Sequence, residues 1–184
     1  LIGANDPSLG KNKRSDTSSI ISLALQISTG YLFVVEASVE RRKPDVIITD
    51  VIETHRRFKR DYKKGYYKFG VETVQFQFFF KEVMAEKSRK SGEYIPIEEI
   101  QSTQNKQLRI ESLQPLVKNH YIKFNRKHKT LLQQMKEYPM AKNDDAPDGL
   151  QMAVALAITV KSAGAKIKYQ TVQRRRSRFR KGAY

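Results

Sequence analysis

The chain begins Leu1-Ile-Gly-Ala-Asn-Asp6-Pro7, a short apolar run that stops at an acid followed by proline. Asn, Asp and Pro after apolar residues are turn formers, so the run reads as a core strand closed by a turn, with the Asp6 carboxyl at its end. A polar segment from Ser8 to Ser18 follows. Residues 20–28 and 31–39 are then rich in β-branched and aromatic side chains and are separated by Thr29-Gly30, which predicts a hairpin. Three antiparallel strands in succession are expected.

After Pro44, the apolar positions Val46, Ile47, Val51, Thr54 and Phe58 recur at roughly helical spacing, and proline is tolerated in a first turn. Residues 45–62 are predicted as a helix. Residues 66–71 read as a strand ending at Glu72, and 73–90 as a second helix with an aromatic face at Phe76, Phe79 and Phe80. That face, Phe78 included, reads as core rather than as a base-stacking platform, since Val83 and Met84 continue it. A fifth strand is expected over 93–97, and a helix over 107–117 with Leu108, Leu113 and Leu116 buried. A small strand is expected at 121–124, a short helix over 130–137, and an apolar helix over 147–161. The sum is an α/β domain: a mixed five-stranded sheet, its first three strands antiparallel, with helices on both faces.

Residues 1–160 suffice for one domain. From Lys161 to the end the chain carries nine basic residues and no acid, and residues 161–184 read as a flexible basic tail. The opening at a core strand without an initiator Met suggests a domain taken from a longer chain.

Net charge narrows the partners. With 35 Lys and Arg against 19 Asp and Glu, the formal charge of +16 calls for a polyanion, nucleic acid first. The absence of cysteine excludes disulfides and thiolate metal sites. His55, His120 and His128 lack zinc-type spacing, and His120 and His128 read as surface residues without a role. A metal site would then be built from carboxylates, the ligands of Mg²⁺ or Mn²⁺. No signal peptide, membrane span or phosphate-binding G-x-x-x-x-G-K-[ST] loop occurs; Gly10-Lys11-Asn12 lacks both the first glycine and the Ser/Thr. The chain is expected to be intracellular and not to hydrolyse ATP.

Four acids stand where solubility does not explain them. Asp6 ends the first strand, Glu72 ends the fourth, and Asp145 and Asp148 open the last apolar helix. Each alone is most simply a turn or cap residue. Together, at strand ends and a helix start, they can converge, and such a cluster repels itself at neutral pH unless cations neutralise it. Carboxylate-held metal ions serve in-line hydrolysis of phosphodiesters, a reaction that agrees with the basic charge.

These residues carry a resemblance. Ile2-Gly-Ala-Asn-Asp6-Pro with Lys13-Arg-Ser-Asp16-Thr-Ser-Ser-Ile, then Val71-Glu72 with its following helix, then Asn143-Asp144-Asp145-Ala-Pro-Asp148-Gly-Leu150 are similar to the three acidic motifs of the terminase large-subunit nuclease domain of tailed bacteriophages. A DxxD at a helix start is also similar to RuvC-type resolvases. The resemblance spans roughly residues 1–160 and implies an RNase H-like fold and a two-metal endonuclease, using Mg²⁺ or Mn²⁺, that cuts concatemeric double-stranded viral DNA during packaging. It implies Asp6, Glu72 and Asp148 as metal ligands and Asp145 as a further ligand or water-orienting carboxylate. Asp144 and Asp16 are lesser candidates. It also implies a packaging ATPase, a small terminase subunit and a capsid portal as partners, in the cytoplasm of an infected bacterium. A structure-selective resolvase and a noncatalytic basic DNA-binding module are the alternatives.

Two basic groups are candidate DNA contacts: Arg56, Arg57, Lys59, Arg60, Lys63 and Lys64 on the first helix, interleaved with Tyr62, Tyr66 and Tyr67, and Arg174, Arg175 and Arg176 in the tail.

Overall fold

The structure is a computed structural model that describes residues 1–6, 17–72, 77–101 and 104–180; the side chains of 77–81 and 163–180 lie outside that description. Asp16 and Phe76, and the side chains of Phe78, Phe79 and Phe80, are therefore outside the described residues.

Strand β1 (Ile2–Asp6) pairs antiparallel with β2 (Ser18–Leu25), and β2 with β3 (Leu32–Glu40). The β2–β3 turn closes on Gly30 at φ 82°, a left-handed conformation that glycine adopts without strain. Helix α1 (Pro44–Tyr62) crosses back over the sheet and delivers β4 (Lys68–Glu72) parallel to β1. Helix α2 (Gln77–Ser91) then leads to β5 (Ile97–Ile100), parallel to β4. The short helices α3 (Lys106–Glu111) and α4 (Gln114–Lys118) precede β6 (Ile122–Lys123), which adds a sixth, two-residue strand beside β3. Helices α5 (Lys129–Glu137) and α6 (Asp145–Arg180) complete the chain, and the strand order is β5-β4-β1-β2-β3-β6.

The sheet is covered on both faces. On one, Ile47, Ile48, Val51, Ile52 and Phe58 of α1 pack on Ile20, Phe69 and Val71 of the strands. On the other, Leu150, Ala153, Val154 and Ala157 of α6 pack on Ile2, Ala4, Ile21 and Leu23. Burying each Ile, Leu, Val or Phe of these sets contributes about 1.5–3 kcal/mol.

Several sequence expectations shift. The buried face of α1 keeps Ile47, Val51 and Phe58 and adds Ile48, Ile52 and His55, leaving Val46 41% exposed. Pairing of β5 starts at Ile97 rather than Glu93, because Pro96 has no N–H to give to the ladder. The helix expected over 107–117 breaks in two, since Pro115 lacks the N–H that an unbroken helix needs and instead opens α4. On α3 the buried residues are Arg109 and Ile110, while Leu108 is 64% exposed. His128 is buried rather than superficial. Finally, α6 does not stop near Lys161: its backbone stays helical to Arg180, along a run with no proline and many Ala, Lys, Arg and Gln, all good helix formers.

Candidate metal centre

Parallel pairing of β1 and β4 ends both strands at the same edge, so Asp6 and Glu72 emerge side by side. The third acid arrives from α6, whose first turn lies over that edge. Three local features hold it there. Gln134 of α5, itself buried, accepts a hydrogen bond from Ala146 N at 3.0 Å and so satisfies one orphan amide of the helix start. Asp144 O accepts from Asp148 N at 3.1 Å. Gly149 faces β2 so closely that an added Cβ would meet Ser19 Oγ at 2.2 Å, and α6 can approach the sheet only because that position has no side chain.

Asp6, Glu72 and Asp148 thereby bring one carboxylate oxygen each to within 4.8 Å of one another. Asp148 is almost wholly buried and Asp6 and Glu72 are partly so. Asp145 stands next to this group with its carboxylate accepting from Thr17 Oγ1, and its charge reaches Asp6. Asp144 points to the rim, where it accepts from Lys106 Nζ at 2.9 Å. Of the four acids expected to converge, Asp6, Glu72 and Asp148 come together, with Asp145 beside them.

Sequence reasoning missed the two cations among them. Arg109, 8% exposed, places Nη1 3.0 Å from Asp148 Oδ1 and Nη2 3.6 Å from Glu72 Oε1, and also donates to Gln151 Oε1 at 3.4 Å. Lys106 Nζ lies 3.4 Å from Asp148 Oδ2 as well as bonding Asp144. Their spacing of three residues sets both on one face of α3, and Asn105, which accepts from Gln107 N, caps the helix that carries them. The signal was present as an N-capped helix with a basic pair at i and i+3.

The electrostatics follow from burial. Asp6 is pushed up to about 7, first by loss of solvation and then by the charge of Asp148, with Glu72 and Asp145 adding to it and Lys106 opposing. Asp148 is raised as well, by burial first, although Lys106 and Arg109 pull it down. For Lys106, burial favours the neutral amine, but the hydrogen bond to Asp144 and the charges of Asp148 and Asp6 outweigh it and raise the ammonium.

The donor set fits a hard divalent cation. Three carboxylates at one point supply oxygen ligands of the preferred kind, and buried Asp148 Oδ1, despite its nearness to Arg109, makes no aligned hydrogen bond. A cation there would also relieve the repulsion that raises Asp6. Because ligation requires the ionised carboxylates, binding competes with protons. Mn²⁺ is therefore expected to raise the melting temperature more at pH 8 than at pH 5, either side of the Asp6 value near 7; equal shifts at both pH values in a thermal-melt series would contradict this.

The basic residues in and just after α1 do not join the centre. The helix starts at the carboxylate edge and runs away from it, so Lys64 lines a cavity with Leu1, Ile27 and Tyr67 at the opposite end of the sheet. Four of the six have acid partners: Arg56 and Lys59 with Glu93, Arg57 with Glu36, Arg60 with Asp61. Arg174, Arg175 and Arg176 sit on the α6 backbone, with side chains outside the described residues. No helix among the described residues is long and apolar enough to cross a membrane.

Comparison with known proteins gives no match to a family model or to a curated protein sequence. Solved structures do match. The human cytomegalovirus terminase nuclease domain, from a manganese-soaked structure, aligns over 85% of this chain and 81% of its own, at 13% identity and a TM-score of 0.65. The yeast mitochondrial Holliday junction resolvase aligns over 85% of this chain and 77% of its own, at 12% identity and a TM-score of 0.50. With the sheet order and the crossing of α6 already established, these likenesses show that the chain has the RNase H-like fold.

Proposed function

We propose that this chain is a metal-dependent DNA endonuclease domain, of the kind that cuts concatemeric double-stranded DNA during viral genome packaging. The observation that carries the reading is the convergence of Asp6, Glu72 and Asp148, distant in sequence, within 4.8 Å at one sheet edge. The +16 charge supports a nucleic-acid substrate, and the fold likeness to a terminase nuclease domain supports the reaction class.

Asp6, Glu72 and Asp148 would hold the metal, two ions in the full complement, with Asp145 and Asp144 as further oxygen donors. Bound Mg²⁺ or Mn²⁺ supplies Lewis-acid stabilisation of the phosphoryl oxygens and lowers the pKa of water. Within the protein, Thr17 fixes the Asp145 carboxylate, which can orient a water. Arg109 holds the Glu72 and Asp148 carboxylates in register across the gap between β4 and α6. Lys106, with a side chain 40% exposed, is the cation placed to meet an incoming phosphate. The positive end of the α6 dipole favours anions at the same point.

Supercoiled plasmid incubated with Mn²⁺ or Mg²⁺ should be nicked and linearised, and EDTA should stop it; intact plasmid under all metal conditions would leave a basic binding module. A structure-selective resolvase is the second reading, supported by the likeness to the yeast resolvase. It requires preference for four-way junctions over linear duplex of equal length, whereas a packaging nuclease cuts both alike.

A further inference from the structure

The carboxylate cluster and the end of α1 lie at opposite poles of the sheet along the strand direction. The acids gather where β1 and β4 end. Helix α6 starts there and crosses the sheet, so Val160 reaches the cavity lined by Leu1, Ile2, Leu25 and Lys64, and Lys161 lies over Gly30 in the β2–β3 turn. Helix α1 ends at that same opposite pole, with Lys63 and Lys64 exposed. Among the described residues these two lysines and Lys161 pair with no carboxylate. From Lys161 to Arg180, α6 carries eight Lys or Arg in twenty residues and no Asp or Glu.

We propose that this pole, formed by Lys63, Lys64, Lys161 and the basic continuation of α6, is a second contact for duplex DNA, separate from the carboxylate centre. A helix rich in Lys and Arg complements the dense charge of a duplex backbone, and phosphate contacts position without reading sequence. The helical rise of about 1.5 Å per residue puts residues 174–176 roughly 40 Å along α6 from Asp148. At about 3.4 Å per base pair, that is a footprint reaching about 12 base pairs to one side of the cut. The choice of DNA over another polyanion rests on the nuclease reading above, but the contact itself does not need cleavage.

Binding in EDTA separates the two. Fluorescence anisotropy of the full chain with labelled duplexes of 10, 20 and 30 base pairs should show affinity rising at least tenfold from 10 to 20. The triple variant Arg174→Gln/Arg175→Gln/Arg176→Gln should lose that rise and flatten the slope of log affinity against log salt by between about 2 and 3. The triple Arg→Lys variant should restore both. An unchanged slope in the glutamine variant, a failure of lysine to restore it, or equal competition by polyglutamate and by duplex would each overturn the proposal, whatever the outcome of the plasmid assay.

Discussion

Asp6→Asn is expected to make the protein more stable and, at the same time, inactive. The Asp6 carboxyl is raised to about 7 by burial and by Asp148, against 3.8 for an unhindered aspartate. A raised folded-state pKa means that the stability associated with the protonated group is complete below pH 4 and is lost as pH rises through 7. Three pKa units correspond to about 4 kcal/mol, an upper bound for a group that keeps some contact with water. Asparagine has the same shape and no charge to bury. Metal-free Asp6→Asn should therefore match wild type in urea melts at pH 4 and exceed it at pH 8, by up to that amount. Loss of a carboxylate ligand should reduce cleavage by well over a hundredfold, since even groups that only support ligands cost ten- to a hundredfold. A variant that is no more stable at pH 8 would deny the burial of charge at Asp6, and a variant that still cuts would remove Asp6 from the chemistry.

Arg109→Met has the opposite sign. The guanidinium is the only arginine among the described residues that bridges two members of the carboxylate cluster, at 3.0 Å from Asp148 and 3.6 Å from Glu72. Removing one partner of a buried ion pair leaves uncompensated charge and costs about 3–5 kcal/mol. Methionine conserves much of the volume, so the loss measures charge more than cavity. A divalent cation neutralises the same oxygens, so Mn²⁺ should recover most of the lost stability and raise the melting temperature of Arg109→Met further than that of wild type. A destabilised variant that Mn²⁺ does not rescue would place Arg109 in the core alone, with no electrostatic tie to the metal site.

These two residues mark the boundary of what the sequence discloses. Asp6 was legible because an acid that ends a strand of small and apolar residues, just before proline, has few places to go but the sheet edge. Glu72 was legible for the same reason, and Asp148 because a DxxD at the start of an apolar helix points two carboxylates toward whatever the helix covers. The three antiparallel strands followed from alternating β-branched segments and the Thr29-Gly30 turn. Arg109 showed in the sequence only as half of a basic i, i+3 pair, with nothing to mark it as buried. Buried arginine is rare unless paired, its partners lie 37 and 39 residues away, and a hydrophobicity pattern assigned the inward face of α3 to Leu108, which faces solvent. The spread of the basic charge was also hidden, because which pole of the sheet receives Lys63 and Lys161 depends on the directions of α1 and α6, set by topology and not by composition.

Anomalous diffraction from a crystal soaked in Mn²⁺ tests the central claim most directly. A manganese peak within about 2.3 Å of oxygens from Asp6, Glu72 and Asp148 together is the predicted result; manganese bound elsewhere, or these three carboxylates on separate faces of the molecule, would contradict it.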